Sequence, residues 1–567
     1  MHPKHAFDLE TAFVSRGTPS LADCITRLHQ DETLGKERKR DLISGLNRVA
    51  KVINREPATV PADPTWLQPR IAAVTPARNG ITPKSWSNII SNAQAALRHL
   101  GITAARTRDL SDLSEEWRAV WLSLLASKDH SLARGLGRFV RFLDKNNVGP
   151  HDVIEEHIDL FHEALTLNEL RKDPAESALQ ALYAWNRSVA KVPTWPKTRL
   201  APPRSDRNFV LPHDELPSTL VAEIDAAMHR LSALDPLDPD SPRRALRPAT
   251  ITSRRGQLFR FASALRHAGV ESAKIQNLSD LVSLAHLEKG LRWILARQGN
   301  QVSQGISNLA HCLRMIARHV VKLEGRPLND VETLLGKLIK PRRIGMTTGN
   351  RDRLRVLQDE QTLARLYQLP NRLWQRARST AISYKALLTS EEAIAIELLI
   401  YCPIRRKNLT ELHLERDFLK PGNGRVFLQL GETRTKNGRV QSFELPPDLS
   451  FWIDTHIKER AGLLCPATSP FLFPKRDGSA PMGGQQLGKR ISARIRKELG
   501  IDVHPHLFRH LSAMVLLREQ PGHYELVRRI LGHAETSTTY NSYVALEADQ
   551  ATRQLAAAIT RSRGLEA

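Results

Sequence analysis

The chain has 567 residues, which is more than one hydrophobic core usually fills, and this length predicts about three domains. The hydrophobic fraction of 41% is ordinary, and no run of about 18 or more apolar residues indicates a membrane span. The formal net charge is +23, and such an excess of lysine and arginine favours a polyanionic partner. Aromatic residues make up only 5% of the chain, which disfavours a single-strand binder that stacks bases, so double-stranded DNA is the expected partner.

The cysteines and the N-terminal segment bear on cofactors and location. The segment that starts at Met1 has no apolar signal core, and a cytoplasmic protein with free thiols is expected. No metal or other cofactor is expected, and the four cysteines are scattered without metal-ligand spacing. They are Cys24, Cys312, Cys402 and Cys465.

Residues 1 to about 345 are rich in Leu, Ala, Arg and Gln at helical spacing, which predicts an all-helical region. Two sequence words recur there in register, 168 residues apart. Leu97–Gly101 (LRHLG) precedes Leu110–Leu113 (LSDL), and Leu265–Gly269 (LRHAG) precedes Leu278–Leu281 (LSDL). This self-similarity predicts a duplicated helical domain. The alternative is that two unrelated helical segments share common helix words.

Both copies of the repeat contain an apolar helical face that ends at a glycine, a residue suited to a helix C-cap. The apolar positions are Ile90, Ala93, Leu97 and Leu100 before Gly101, and Leu258, Phe261, Leu265 and Ala268 before Gly269. Breaks rich in proline or basic residues lie at 192–204, 234–248 and 340–353 and predict linkers or loops. The resulting domains are 1–200, 210–345 and 350–567.

The last 220 or so residues change character. Ser390–Tyr401 opens like a capping box and predicts a buried helix. Two strands are predicted at Arg425–Leu430 and Val440–Leu445, and between them Thr435–Gly438 contains Asn-Gly, a strong hairpin signal. The expected fold is therefore mainly α, with a small antiparallel sheet in an α+β C-terminal domain.

Several cationic residues of this last region suit chemistry on a phosphodiester. Arg405 follows the predicted buried helix and can present its guanidinium to a phosphate, although its neighbours Arg406 and Lys407 are alternatives. Lys436 sits in the hairpin, where it can donate a proton to a departing 5′ oxygen. An ordinary exposed turn lysine is the other interpretation.

The remaining candidates are histidines, an arginine and tyrosines near the C-terminus. His506 and Arg509 are three residues apart and share a helix face, while His510 is expected to be a packing histidine. His533 follows a helix-ending glycine and is expected at a loop mouth. Tyr540 and Tyr543 are the candidate nucleophiles, because a phenol surrounded by cations is easier to ionise.

This order of an arginine, a lysine, His-x-x-Arg, a histidine and a tyrosine resembles the tyrosine recombinase (phage integrase) family. The match covers about residues 350–560, and the upstream helices resemble the family's core-binding domain, present twice. The matching segments are Pro403–Leu409, Thr435–Gly438, His506–His510, Leu531–His533 and Ser537–Thr539.

The resemblance implies a catalytic role for six residues. Two arginines would clamp the scissile phosphate, the lysine would be the general acid, two histidines would assist proton transfer and transition-state binding, and the tyrosine would be the nucleophile. These residues are Arg405, Lys436, His506, Arg509, His533 and Tyr543.

Two positions depart from the family pattern. Many members have an acidic residue where this chain has Asn408. Tyr543 lies ten residues after His533, one more than in most members, and Tyr540 lies seven after it. The stretch Val544–Glu547 resembles the one that follows the nucleophile in some integrases, which favours Tyr543.

The function implied by the resemblance is site-specific recombination or integration, in which duplex DNA is cleaved and rejoined through a 3′-phosphotyrosine without metal or nucleotide. It also implies a homo-oligomer, a tetramer, assembled on DNA in the bacterial cytoplasm and nucleoid. A type IB topoisomerase with the same chemistry, and a catalytically silent DNA-binding accessory protein, are the alternatives.

Overall fold

A computed structural model of the protein describes residues 14–15, 17–103, 113–168, 173–201, 209–234, 237, 245–341 and 345–563. They form two compact units, one within Met1–Ala201 and Ile344–Ala567 and the other within Pro202–Arg343. Helices dominate both units, and the strands of the described chain form one three-stranded antiparallel sheet. The predicted fold class, mainly α with a small antiparallel sheet near the C-terminus, is confirmed. None of the helices in these ranges has the length and apolar character that a bilayer crossing requires.

The N-terminal part of the first unit contains two separate hydrophobic cores. The helices around the first core are α1 (Leu21–Gln30), α2 (Lys36–Val52), α3 (Pro64–Ala73) and α4 (Pro83–His99). The helices around the second core are α5 (Glu115–Ala126), α6 (His130–Lys145), α7 (Glu156–Asn168) and α8 (Pro174–Lys191).

The second core is built on tryptophans, one of which comes from the first predicted break. The Trp185 ring meets the rings of Trp117 and Trp195 edge-on, at centroid distances of 6.3 and 5.1 Å. Asn186 fixes the same segment, because its side-chain oxygen accepts a hydrogen bond from the Leu200 N–H at 2.9 Å. The break at 192–204 therefore begins as a segment packed on α8, while residues 202–208 lie outside the described residues.

The second unit has a single core and a run of helices. They are α9 (Ser218–Ser232), α10 (Pro248–His267), α11 (Leu278–Leu281), α12 (Leu284–Ala296), α13 (Gln304–His319) and α14 (Gly325–Gly336). Gly269, just after α10, has φ +79°, and Gly101, just after α4, has φ +74°. Both glycines thus take the left-handed conformation expected of a helix C-cap.

The two copies of the repeat differ in how their leucines pack. Leu97 belongs to the first core and Leu113 to the second. Leu265, Leu278 and Leu281 all belong to the single core of the second unit. The residues 110–112 lie outside the described chain, so the duplication, like the three domain ranges, stays a prediction.

The C-terminal part of the first unit surrounds the largest hydrophobic core among the described residues. Its helices are α15 (Thr348–Val356), α16 (Glu360–Tyr367), α17 (Leu369–Arg378), α18 (Tyr384–Tyr401), α19 (Arg406–Thr410), α20 (Pro447–Arg460), α21 (Gly484–Leu499), α22 (Pro505–Glu519), α23 (Tyr524–Leu531) and α24 (Thr536–Ser562). Its strands are β1 (Phe418–Leu419), β2 (Val426–Leu430) and β3 (Gln441–Leu445).

The buried helix α18 begins six residues before the predicted start at Ser390. Ser383 is its N-cap, because the Ser383 side chain accepts a hydrogen bond from the Ala386 N–H. Ser390 is a buried residue of the second helical turn, so the predicted capping box is wrong. The acidic pair that suggested it, Glu391 and Glu392, has another role.

Both buried carboxylates bind arginines of neighbouring elements. Arg490 of α21 donates to Glu391 at 2.6 Å, and Arg494 donates to Glu392 at 2.6 Å. Arg476 adds a longer contact to Glu391 at 3.5 Å. Buried charges need such partners, and these pairs fix α21 against α18.

The predicted strands are confirmed, but their connection is not a two-residue hairpin. Strand β2 pairs antiparallel with β3, with Val426 opposite Leu445 and Leu430 opposite Gln441. The intervening loop, residues 431–440, starts with a 3₁₀ turn. Gly438 has φ +64°, but Asn437 does not take the positive φ of an Asn-Gly hairpin turn.

The first helices also contact the C-terminal part of the same unit. The Arg78 Nε donates to the Gly500 carbonyl at 2.7 Å. Gly500 follows α21 at φ +75°, and an added Cβ there would lie 2.8 Å from the Arg78 Cγ. The contact therefore depends on a glycine for both its conformation and its close approach.

His456 of α20 predicts an acid sensitivity of this core. Its ring is fully buried, and neither ring nitrogen has a hydrogen-bond partner in the described chain. Burial, and then the charges of Arg460, Arg378, Arg476 and Arg490, lower the pKa of His456 to about 3. The unfolded chain therefore binds a proton below pH ~6.5 that the fold excludes, so stability falls as pH drops below that value.

We expect His456→Leu to reduce the fall in the free energy of unfolding between pH ~6.5 and ~4.5 by roughly 1 to 2 kcal/mol. Thermal unfolding midpoints across that pH range measure the effect. The matched control is His523→Leu at an exposed histidine. Equal acid sensitivity in wild type and in His456→Leu would contradict the account.

Candidate functional site

Arg509 of α22 ties together two segments that are distant in sequence. Its side chain is buried, with 2% exposure. One guanidinium nitrogen donates to the Pro403 carbonyl, and the other donates to the Leu531 carbonyl at 2.6 Å. These hydrogen bonds bring the loop before α19 and the end of α23 to the same face of α22.

Arg405 lies at the N-cap position of α19 and is half-buried. Burial, and then the charge of Arg405, lower the pKa of Arg509 to about 10, which indicates that the two guanidinium groups are near each other. Arg406 and Lys407 are exposed, and the Arg406 side chain lies along α21 beside Gly488. Arg405 is the member of this basic run whose charge lowers the pKa of Arg509.

Two histidines of α22 lie one helical turn apart, and their side chains are neighbours. The rings of His506 and His510 meet edge-on with centroids 5.1 Å apart. Burial, and then the charge of Arg509, lower the pKa of His506 to about 4. Burial, and then His506 and Arg509, lower the pKa of His510 to about 3. Both imidazoles are therefore neutral at pH 7 in the absence of a bound anion.

Tyr543 of α24 enters this group with its hydroxyl. The residue is 1% exposed, and its hydroxyl oxygen lies 3.0 Å from His510 Nδ1. The Tyr543 ring is parallel to that of His533, with centroids 6.5 Å apart. Burial raises the pKa of the phenol, and the nearby charge of Arg509 opposes that rise.

His533 is positioned by the turn between α23 and α24. Gly532 ends α23 at φ +59°, and an added Cβ would lie 2.9 Å from the Gln441 side chain. The His533 Nδ1 lies 2.9 Å from the Thr539 hydroxyl, which is fully buried one helical turn before Tyr543. Burial, and then Arg509 and Arg405, lower the pKa of His533 to about 4.

Tyr540 lies outside this group. Its side chain is 49% exposed. Its ring packs edge-on against Tyr524 of α23, with centroids 5.1 Å apart. The two candidate tyrosines therefore have different surroundings, and Tyr543 is the one beside the histidines and Arg509.

Lys436 is exposed on the β2–β3 loop, next to the group. Its neighbour Asn437 donates to the Gly532 carbonyl at 2.7 Å, and Arg439 donates to the Ala534 carbonyl at 2.8 Å. The loop is therefore bound to the segment that carries His533. Asn408, at the position where the sequence departs from the pattern that it resembles, is buried beneath this loop.

The structure therefore brings together five of the six predicted residues, and the sixth, Lys436, lies on an adjoining loop. Sequence reasoning missed Thr539, and it treated His510 as a packing residue. The sequence spacing did indicate His510, because it lies four residues after His506 and residues four apart share a helix face. We name this group the Arg509 cluster: Arg405, His506, Arg509, His510, His533 and Tyr543.

The charge of the Arg509 cluster suits an anion. Two arginines carry permanent charge, the imidazoles are held neutral, and the phenol is held protonated by burial. An arginine fork near a second arginine is a usual arrangement for phosphate recognition. In the described residues no group of three or more His, Cys, Asp or Glu side chains is arranged to hold a metal ion.

Two solved structures are similar to parts of the chain. One is XerH site-specific recombinase bound to difH substrate in a pre-cleavage complex, which is 16% identical. The match covers 53% of this chain and 79% of that chain, with a TM-score of 0.32. The other is XerA recombinase, which is 13% identical. The match covers 59% of this chain and 99% of that chain, with a TM-score of 0.24.

Comparisons of sequence cover the C-terminal part. Residues 358–550 match the model of the phage integrase family. Tyrosine recombinase XerC of Chromobacterium violaceum is 29% identical over 162 residues, which cover 28% of this chain and 50% of that protein. Tyrosine recombinase XerC of Pseudomonas fluorescens is 26% identical over 253 residues, which cover 44% of this chain and 74% of that protein. The chain thus spans about half the length of the first of these relatives, and its residues 358–550 are similar to the phage integrase family.

Proposed function

We propose that this protein is a site-specific DNA recombinase that cleaves and rejoins duplex strands through a 3′-phosphotyrosine at Tyr543. One observation carries the proposal: the Tyr543 hydroxyl lies 3.0 Å from an imidazole, in a buried site that also contains Arg509. A nucleophile next to a neutral imidazole and beside fixed cations is the arrangement that phosphoryl transfer requires. The relationship to the tyrosine recombinases supports the same conclusion.

The reaction divides among the residues of the site. Arg405 and Arg509 bind the non-bridging oxygens of the scissile phosphate and stabilise the negative charge of the phosphorane-like transition state. The Tyr543 oxygen attacks phosphorus and passes its proton to a neutral imidazole of the site, and Lys436 donates a proton to the departing 5′ oxygen as the P–O5′ bond breaks. A 5′-hydroxyl of a second strand then attacks the phosphotyrosine and joins the strands. The bond energy is kept in the ester, so no nucleotide is consumed.

His506 and His533 complete the binding of the phosphate. His506 is exposed and His533 is half-buried, and the pKa values of both imidazoles are lowered by desolvation and by the arginines. A phosphate anion between them offsets that positive field and strengthens hydrogen bonds from the imidazoles to its oxygens. Exchange of strands between two duplexes requires several copies of the site, for which a homotetramer on DNA is the assembly that the family relationship suggests.

Tyr543→Phe is expected to abolish the covalent protein–DNA adduct while leaving duplex binding nearly unchanged, since only one hydroxyl is removed. Tyr540→Phe, the matched control on the same helix, should retain adduct formation. The measurement exposes each protein to a pool of random-sequence duplexes, separates adducts in a denaturing gel, and sequences the bound DNA. Failure of the wild type to form an adduct would contradict the proposal. An adduct formed by Tyr543→Phe but not by Tyr540→Phe would transfer the role of nucleophile to Tyr540.

Arg405→Ala is expected to slow adduct formation about 100-fold or more, because a donor to the transition-state charge is removed. Arg406→Ala removes the same charge at an exposed neighbour and should change the rate much less. Arg509→Ala should also lower the thermal midpoint, because it leaves the buried carbonyls of Pro403 and Leu531 without their donors. The rates are measured with a duplex recovered from the pool. Equal reductions for Arg405→Ala and Arg406→Ala would refute the assignment of the phosphate clamp.

DNA contacts are also expected in the N-terminal part. A shallow groove along α2 is lined by His29, Lys36, Lys39, Arg40, Ile43, Ser44, Asn47 and Arg48, without an acidic side chain. Each phosphate that such a groove neutralises releases counterions, which makes the binding constant depend on salt. This surface suits the sugar–phosphate backbone of a duplex.

Replacing Lys36, Arg40 and Arg48 by Gln should weaken binding to a random-sequence duplex and lower the log–log salt slope by about 0.9 for each phosphate that is no longer neutralised. Lys128, Lys145 and Lys197→Gln remove the same charge outside the groove and serve as the control. Affinity is measured by fluorescence anisotropy over a salt series. Equal slopes for the two triple variants would show that the groove does not touch DNA.

A further inference from the structure

A cleft within the first unit lies where three parts of the chain meet, and it contains none of the residues assigned to the reaction. Its volume is about 1040 Å³, close to the upper end of the range of about 300 to 1000 Å³ that is usual for small-molecule sites. A face of α4 and the segment 71–76 with Arg78 line it from the first helices. Arg138 of α6 and the end of α21, with Arg496 and Lys497, complete the lining.

The lining of this cleft carries an excess of positive charge. It includes four cationic side chains, and among its described residues Asp502 is the one acid. The Asp502 carboxylate accepts a hydrogen bond from Arg496 Nε at 2.5 Å, so it balances one cation of the set. An excess of cations in one concave site favours an anion with more than one negative charge, which a phosphate monoester carries at pH 7.

Hydrogen bonds hold two of the arginines in place at the cleft. Arg78 Nε donates to the Gly500 carbonyl at 2.7 Å, and Arg496 Nε donates to Asp502. Each bond uses one donor of a guanidinium that has several. A guanidinium that is already positioned loses little side-chain freedom when it binds a ligand, and its planar fork matches the oxygens of a phosphate.

The α4 wall provides a surface for an organic group. Ser87, Ser91 and Gln94 line the cleft with hydroxyl and amide groups. Ile90 of the same helix and Val74 add apolar surface. The four α4 residues are three or four positions apart or adjacent, so they share one helix face. A bare inorganic anion would leave this face unused, whereas a nucleotide combines phosphate with an organic group that forms hydrogen bonds.

We propose that this cleft is a binding site for a phosphorylated organic ligand of nucleotide size. The phosphate oxygens accept hydrogen bonds from the arginines and from Lys497, and the organic part lies along the α4 face. The cleft shares no residue with the Arg509 cluster or with the groove on α2, so its occupancy does not depend on the proposed recombination. A ligand held there contacts both α4 and α21, and it therefore joins the N-terminal and C-terminal parts of the first unit.

ADP is the probe, and inorganic pyrophosphate is the comparison, each titrated into the full-length protein by calorimetry without added metal. We expect ADP to bind at one site per chain, about tenfold or more tightly than pyrophosphate, because only ADP can also contact the α4 face. Added salt should weaken the binding of both, since salt screens the charges of the cleft.

Two variants test the cleft by different means. Lys497→Gln removes a lining charge, and Ser91→Trp fills the cleft from an exposed position. Each should weaken ADP binding about tenfold or more. The matched controls are Lys489→Gln on α21 and Asn88→Trp on α4, at exposed positions outside the lining, and both should bind ADP like the wild type. Thermal midpoints show whether the variants keep the fold.

Three outcomes would overturn the proposal. One is failure of ADP to bind, or binding that neither Lys497→Gln nor Ser91→Trp weakens. Another is equal affinity for ADP and pyrophosphate, which would reduce the site to an unselective contact with anions. The last is displacement of ADP by a random-sequence duplex together with weaker duplex binding by Ser91→Trp, which would make the cleft part of the DNA-binding surface.

Discussion

The hydrogen bonds of Arg509 hold the candidate site together. Its guanidinium lies between the Pro403 and Leu531 carbonyls, so the segments that carry Arg405 and His533 both depend on it. Removing it would leave two buried acceptors unsatisfied as well as removing a charge. A residue proposed to bind phosphate is thus also part of the domain's framework, and the geometry of the site and the stability of its core are not separate properties.

Burial and like charge set the protonation states around Arg509. Crowded cations and exclusion of water lower the pKa values of His506, His510 and His533, and burial raises that of Tyr543. The site without DNA therefore holds neutral imidazoles and a protonated phenol beside two arginines. In the proposed reaction a phosphodiester adds negative charge beside these groups, so binding of the DNA would be coupled electrostatically to activation of the tyrosine.

The framework around the site relies on buried ion pairs and close backbone contacts. Glu391 and Glu392 fix α21 to α18 through Arg490 and Arg494. The β2–β3 loop is attached to the α23–α24 turn through Asn437, so the loop that carries the proposed general acid is held against the turn that carries His533. Positioning of distant side chains in this way is what a reaction between fixed groups requires.

The sequence by itself determined the helical character, the two main strands and the identity of most of the site. Local periodicity and the order of a few chemically distinctive residues are properties of the chain alone, so Arg405, Lys436, His506, Arg509, His533 and Tyr543 were all predicted from them. Their catalytic roles remain proposals.

Tertiary structure decided what depends on contacts between distant segments. It placed the start of α18 at Tyr384 with Ser383 as the N-cap, and it showed that Glu391 and Glu392 pair with arginines of α21. It also distinguished the surroundings of Tyr543 from those of Tyr540, and it brought His510 to the Tyr543 hydroxyl across 33 residues of chain. Spacing along a helix states which residues share a face, but only the packing of a second helix decides what that face meets.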